Sequence, residues 1–277
     1  MTHEDQSVTH DDRSVLTRPA PGPDEVRRYG EEPDQLVEVF HRDGGAPEGP
    51  LIVLIHGGFW RPGYDRAHLR PLATALRADR TVVSIEYRRE PGNPDATTAD
   101  VRAALVVAAA VAGGPVVVAG HSAGGHLALW AAATAPAPGL VGTVALAPLA
   151  DLGAAGRASL GDGAVRDFLG GDPDGRPDLD PVLLKTPDTP VWIVHGDRDA
   201  IVPVAQAHRY RQAHPRTEID VVPEAGHFAM IDPLGPAWTT VRHRLLTAGV
   251  LRSATAAQPR VECRIRTAQR GRGGSDR

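Results

Sequence analysis

Short apolar runs recur along this chain, each closed by glycine or a polar turn and separated from the next by a stretch of helical periodicity. The clearest run is 51–55 (LIVLI), continuous rather than alternating, as in a strand buried on both faces of a sheet. Further strands are predicted at 36–41, 81–87 (TVVSIEY), 116–119, 141–146, 191–195 (VWIVH) and 218–222. Helices are predicted at 68–77, 98–112, 123–134, 204–213 and 236–248, the second closed by Gly113-Gly114-Pro115. Strands alternating with helices imply an α/β fold with a mostly parallel central sheet and helices on both faces.

Three segments depart from that alternation. Residues 1–22 are polar and punctuated by proline, and are expected to form a disordered N-terminal tail ahead of a domain spanning 23–251. Residues 147–190 are rich in Gly, Asp and Pro with one predicted helix at 163–169, and read as a small cap inserted near a site. Residues 252–277 carry seven arginines against two acids, and are expected to form a disordered Arg-rich tail.

Composition narrows the function classes. With 277 residues and 42% apolar content there is material for a sizeable core. No apolar run approaches the roughly 18 residues that a membrane helix needs, and the acidic start (MTHEDQSVTHDDRS) is unlike a secretory leader. The first fifty residues hold 12 acids against 5 arginines, so the overall charge of −4 hides opposite-sign ends around a near-neutral body. That distribution offers no basic field for nucleic acid. The lone Cys263 excludes an internal disulfide and a cysteine zinc cluster. A cytoplasmic protein acting on a small molecule, with no membrane partner, is the expectation.

Four loops carry the chemistry. Gly120-His121-Ser122-Ala123-Gly124 fits G-x-S-x-G between a buried-type strand and an apolar helix. A turn that sharp lifts a serine hydroxyl above the sheet at a helix N-terminus, with glycines where side chains would clash. Taken alone, a glycine-rich turn with a capping serine has the same pattern. His56-Gly57-Gly58-Phe59-Trp60 follows the LIVLI strand, where backbone amides can reach an oxyanion; with Ser122 as nucleophile the donors are Gly58, Phe59 and Ala123. A serine needs a base, and the base a carboxylate. Asp197 and Asp199 share the loop after VWIVH and position does not separate them, while His227 follows the last strand in Gly226-His227-Phe228. Trp60, Phe168 and Phe228 are candidates for an apolar substrate pocket. His121 and His126 have no neighbouring ligands that would suggest a metal, and Glu86 with Arg88 reads as a structural ion pair.

In this order, HGGFW, GHSAGGH, HGDRDAIVP and GHF resemble the α/β-hydrolase superfamily over roughly residues 35–250. The pairing of the first two looks like kynurenine formamidases (arylformamidases) and related small carboxylesterases. The resemblance implies Ser122 as nucleophile, Asp199 as acid and His227 as base, in a cofactor-free serine hydrolase cleaving a small carboxylic ester or aryl formamide through an acyl-enzyme. The rival expectations are a non-catalytic ligand-binding member of the fold and a small prolyl-oligopeptidase-like peptidase.

Overall fold

The computed structural model describes residues 12–44 and 49–249. Eight strands form one sheet in the order β1-β2-β4-β3-β5-β6-β7-β8. They are β1 (Glu25–Arg28), β2 (Leu36–Phe40), β3 (Leu51–Ile55), β4 (Val82–Ile85), β5 (Val116–His121), β6 (Leu140–Leu146), β7 (Val191–Gly196) and β8 (Glu218–Val222). β2 pairs antiparallel with both β1 and β4, and every other pairing is parallel. The helices are α1 (Arg70–Leu76), α2 (Pro94–Ala112), α3 (Ala123–Thr134), α4 (Leu152–Arg157), α5 (Leu160–Leu169), α6 (Ala205–Ala213) and α7 (Trp238–Thr247).

The strand period of two divides the buried side chains between two cores. Val53 and Ile55 of β3 pack with Val101, Leu105 and Ala108 of α2 and Leu127 and Ala131 of α3. Ile52 and Leu54 point the other way, toward Leu72 and Leu76 of α1 and Val241 and Leu245 of α7. All five residues of β3 are therefore buried, the doubly covered strand that its unbroken apolar run predicts. Parallel pairing aligns the carboxyl ends of β3, β5, β6 and β7, so the loops that follow them converge on one rim.

Several boundaries move for local reasons. α2 begins at Pro94 rather than at residue 98, because Asn93 caps it through its side chain and proline is accommodated in the first turn, where no N–H partner is needed. The segment predicted as a helix from residue 68 enters through a 3₁₀ turn at Arg66–Leu69, capped by Asp65. The strand β1 was not anticipated; it is an edge strand whose side chains alternate between half-buried and exposed, with Val26 52% exposed.

The expectation of a disordered stretch over 1–22 is corrected from residue 12 onward. Ser14–Thr17 form a 3₁₀ turn that buries Val15 among Leu69 and Leu72, and Arg18 donates two hydrogen bonds to the Asp232 carboxylate. Buried Val15, half-buried Leu16 and one ion pair hold this strap, too little to register as periodicity. The N-terminal part of that stretch and the Arg-rich segment 252–277 lie outside the described residues.

The insertion between β6 and β7 contains α4, α5 and short 3₁₀ turns. Right-handed helix in α5 starts only after Gly163, since Gly161, Asp162 and Gly163 are left-handed. Asp180 ties the insertion together by accepting from the amides of Leu152 and Gly153, both at 3.0 Å. Arg61 of the loop after β3 donates to the Gly161 carbonyl at 2.8 Å, which docks the insertion on that loop.

Candidate active site

Ser122 stands where β5 turns into α3, with φ 57° and ψ −119°. A non-glycine residue in that region carries roughly 1–3 kcal/mol of strain and needs the surroundings to hold it. Three bonds do so: its amide donates to the Leu146 carbonyl at 2.9 Å, and its carbonyl accepts from the amides of His126 at 3.0 Å and Leu149 at 3.3 Å. The turn is tight enough that a Cβ on Gly124 would sit 2.1 Å from the Ile55 carbonyl oxygen, so the helix packs against β3 only with glycine there. Ala123 heads α3, and its amide has no acceptor within the helix.

The loop after β3 passes directly beside this turn. A Cβ on Gly57 would lie 2.9 Å from Ser122 Cβ, and Gly58, Phe59 and Trp60 run in succession through positive φ (101°, 54° and 54°). A buried network holds the loop in that shape. The His56 ring stacks on Tyr87 at 4.3 Å, its Nδ1 donates to the Gly57 carbonyl, and its Nε2 lies 2.8 Å from Glu86 Oε1. Glu86 accepts in addition from Arg66, Arg89 and the Tyr87 amide. Burial alone would raise the Glu86 pKa, but His56, Arg89 and the Tyr87 amide outweigh it and hold the carboxyl at about 2. The expected Glu86–Arg88 pair is not made; Arg88 instead grips Asp100 with Nε and Nη2, both at 2.8 Å.

Across the rim, His227 Nδ1 donates to Asp199 Oδ2 at 2.7 Å, both side chains being buried. The other carboxylate oxygen, Oδ1, accepts from the amides of Ile201 and Val202 at 2.9 and 2.7 Å. Burial opposes ionisation of Asp199, but the donors His195 and His227 prevail and keep it well below the usual carboxylate range. The carboxylate thus stays charged and holds the proton of His227 on Nδ1, which leaves Nε2 as the basic nitrogen. Geometry selects Asp199 over Asp197, since it is Asp199 that reaches the imidazole.

Ser122, His227, Gly58, Phe59 and Phe228 line one small cavity of about 50 Å³. The structure therefore gathers most of the sequence-predicted residues at one place, with Asp199 behind His227 and Ala123 beneath Ser122. Trp60 and Phe168 are placed elsewhere: they stack on each other at 4.4 Å within the core, and neither borders the cavity. His126 fastens α3 to the insertion by donating from Nε2 to the Leu179 carbonyl at 2.8 Å. His121 donates to the His227 carbonyl at 3.1 Å, and burial keeps its ring neutral.

Arg13, Leu16, Tyr64, His68 and Ile201 also line the cavity and were not foreseen. Arg13 and Leu16 arrive on the N-terminal strap, where the Arg13 guanidinium lies 5.6 Å from the centre of the Phe228 ring. No local motif marks these positions; only the packing of distant segments does. A larger concavity of about 840 Å³ opens at the opposite end of the sheet, where β6, β7 and β8 begin. Its lining includes neither a serine nor the His–Asp pair; the sequence-predicted residues meet at the smaller cavity. Among the described residues, no group of His, Cys, Asp or Glu is arranged to hold a metal ion, and no helix is long and apolar enough to cross a membrane.

Comparison with known proteins bears on the fold that carries this site. The pattern of the Alpha/beta hydrolase family matches residues 52–236. Esterase LipC of Mycobacterium tuberculosis is 30% identical over 239 residues, covering 74% of this chain and 59% of its own length. The chain thus spans about three-fifths of that curated relative. Among solved structures, a putative thioesterase from Silicibacter sp. TM1040 is 28% identical with a TM-score of 0.68, over 81% of this chain and 86% of its own. A truncated carbohydrate esterase from gut microbiota, at 18% identity and a TM-score of 0.69, shares the fold over 83% of this chain and 98% of its own.

Proposed function

The chain belongs to the alpha/beta hydrolase family, and from that premise we propose that it is a serine hydrolase cleaving small carboxylic esters or aryl formamides. Ser122 Oγ attacks the acyl carbon while His227 Nε2 takes its proton. The amides of Gly58, Phe59 and Ala123 receive the oxyanion as it forms. His227 then protonates the leaving group, an acyl-enzyme forms on Ser122, and water activated by the same imidazole releases the acid. Asp199 stays ionised throughout, fixing the tautomer and supporting the imidazolium.

The observation that carries this reading is the 2.7 Å bond from His227 Nδ1 to Asp199, made by an imidazole that shares a cavity with Ser122. A protein that only binds its ligand has no use for an oriented base beside a strained serine. The small cavity and its walls of Phe59, Tyr64 and Phe228 favour a short acyl group with an aromatic or apolar leaving group. Esterase naming among the relatives supports the ester reading.

The test is a comparison of 4-nitrophenyl acetate, 4-nitrophenyl octanoate and N-formylkynurenine as substrates of the wild type and of Ser122→Ala. Acetate should be cleaved with a kcat/KM well above that of octanoate, and Ser122→Ala should lower the rate by about a thousandfold or more without changing the circular dichroism spectrum. Retained turnover in that variant would contradict the assignment of the nucleophile. A preference for octanoate would contradict the short acyl group, and the ratio of formamide to ester rates chooses between the two substrate classes.

A further inference from the structure

The reaction proposed above uses one imidazole on Asp199, but the structure places two there. His195, the penultimate residue of β7, is fully buried. Its Nε2 lies 2.8 Å from the Val202 carbonyl and 3.2 Å from Asp199 Oδ2, the same oxygen that accepts from His227 Nδ1. A carbonyl can only accept, so Nε2 carries the proton and shares it between the two oxygens. Nδ1 is buried with no partner, and a proton there would leave an N–H with nothing to bond.

These contacts close a ring. Asp199 Oδ1 accepts from the Val202 amide, the Val202 carbonyl accepts from His195, and His195 reaches back to Asp199 Oδ2. Two oxygens of one carboxylate are thereby held by groups that belong to β7 and its following loop, independently of His227. A free carboxylate rotates about its last bond; this one has its plane set before the imidazole arrives.

Resting on the reading of Ser122, His227 and Asp199 as the catalytic set, we propose that His195 is a positioning residue for the acid. By donating to the oxygen that His227 uses, it locks the carboxylate's orientation and tempers its pull on the imidazolium. Of the other titratable groups around this pair, burial keeps the rings of His121, 4.5 Å from the His227 ring, and His68, on the cavity wall, neutral, while the Arg13 guanidinium over the Phe228 ring puts a charge on the same cavity. Arg13 stays the same in every variant compared below, so a change at His195 is read through the Asp199 oxygen that both imidazoles share.

The experiment compares pH profiles of kcat and kcat/KM, with 4-nitrophenyl acetate, for the wild type, His195→Phe, His195→Gln and His195→Asn. Phenylalanine fills the space without a donor, glutamine carries an N–H near the position of Nε2, and asparagine falls short of it. In the phenylalanine variant kcat at the plateau should fall about tenfold with KM within about twofold, because the carboxylate is no longer held in plane. The acid limb of kcat/KM should move to higher pH by about half a unit, since the unshared oxygen favours the imidazolium more strongly.

Glutamine should return both quantities close to wild type. Asparagine should behave like phenylalanine, and it supplies the same reading if the phenylalanine variant does not fold. A role confined to stability would lower the melting temperature and leave the acid limb in place. The proposal is overturned by a folded donor-less variant with the wild-type acid limb and kcat, or by a glutamine variant as impaired as phenylalanine. Wild-type turnover that survives Ser122→Ala would overturn the catalytic set itself, and the role of His195 with it.

Discussion

Acid should weaken this fold well before its carboxylates are protonated, and His126 is where the effect can be isolated. The ring sits one turn into α3, fully buried, edge-on to Trp60 at 5.1 Å, with Nε2 bonded to the Leu179 carbonyl. Burial lowers its pKa from 6.5 to about 4, against a smaller upward influence from the Leu179 bond. Burial, helped by His56, takes His68 from 6.5 to about 3. Both rings are neutral in the fold but become cationic in the unfolded chain as pH drops below 6.5. Between that value and the folded pKa the unfolded state binds the extra proton, so stability is full above pH 6.5 and is lost as pH falls. At pH 5 the protonation ratio is about thirty for each ring, which corresponds to about 2 kcal/mol apiece and about 4 kcal/mol together. Set against a typical total of roughly 5–15 kcal/mol, that is a large share. Glu86 and Asp199, whose carboxyls are held low, begin to add their own loss only as pH falls below about 4.5 and about 3.8, outside the interval from pH 7 to pH 5. Urea unfolding at pH 7 and pH 5, followed by tryptophan fluorescence, measures the loss in the wild type and in His126→Gln. Glutamine keeps a donor for Leu179 but does not titrate, so the variant should lose about 2 kcal/mol less than the wild type between the two pH values. An identical pH dependence in the two proteins, with unchanged m-values, would refute the argument.

Other outcomes follow from the same geometry. Asp199→Asn should keep the two amide bonds to Oδ1 but present His227 with a neutral partner, lowering kcat for an ester by about three to four orders of magnitude with little change in KM. Gly124→Ala brings a methyl within 2.1 Å of the Ile55 carbonyl oxygen and 2.4 Å of that of His56, both backbone atoms that cannot swing aside. Its cost should be about 3 kcal/mol or more, read as a melting temperature lower by roughly 10 °C. Val15→Asp should unseat the N-terminal strap, because Val15 is its one buried side chain. Limited proteolysis should then cut within residues 12–22, and KM should rise as Arg13 and Leu16 leave the cavity wall; a strap equally resistant to protease would contradict this.

Much of the architecture can be read from the chain because burial on both faces leaves a strong imprint. LIVLI, VWIVH and the run before Gly120 are apolar without alternation, the run after Gly139 is broken only by Gly142 and Thr143, and each forms a strand of the parallel part of the sheet. The glycines at 57, 58, 120 and 124 are legible for the same reason: each stands where a close approach or positive φ excludes a side chain. What the sequence hides depends on contacts between distant segments. The strap at 12–18 is held by Val15 and by Arg18 on Asp232, a partner 214 residues away. Glu86 lies near Arg88, but packing directs it to Arg66, Arg89 and His56. Trp60 and Phe168 have the composition of a pocket wall, and only the fold reveals that they stack on each other instead. Asp199 and Asp197 are alike until the loop's amides and two imidazoles single out one of them.

Labelling with a fluorophosphonate bears most directly on the central claim, that β5, β7 and β8 deliver a serine, a carboxylate and an imidazole to one rim. Incubation of the wild type, followed by peptide mass spectrometry, should find a single adduct on Ser122 formed in step with the loss of esterase activity, and Asp199→Asn should label far more slowly. Full inactivation with the adduct on another residue, or esterase turnover that persists while Ser122 is completely labelled, would contradict the account.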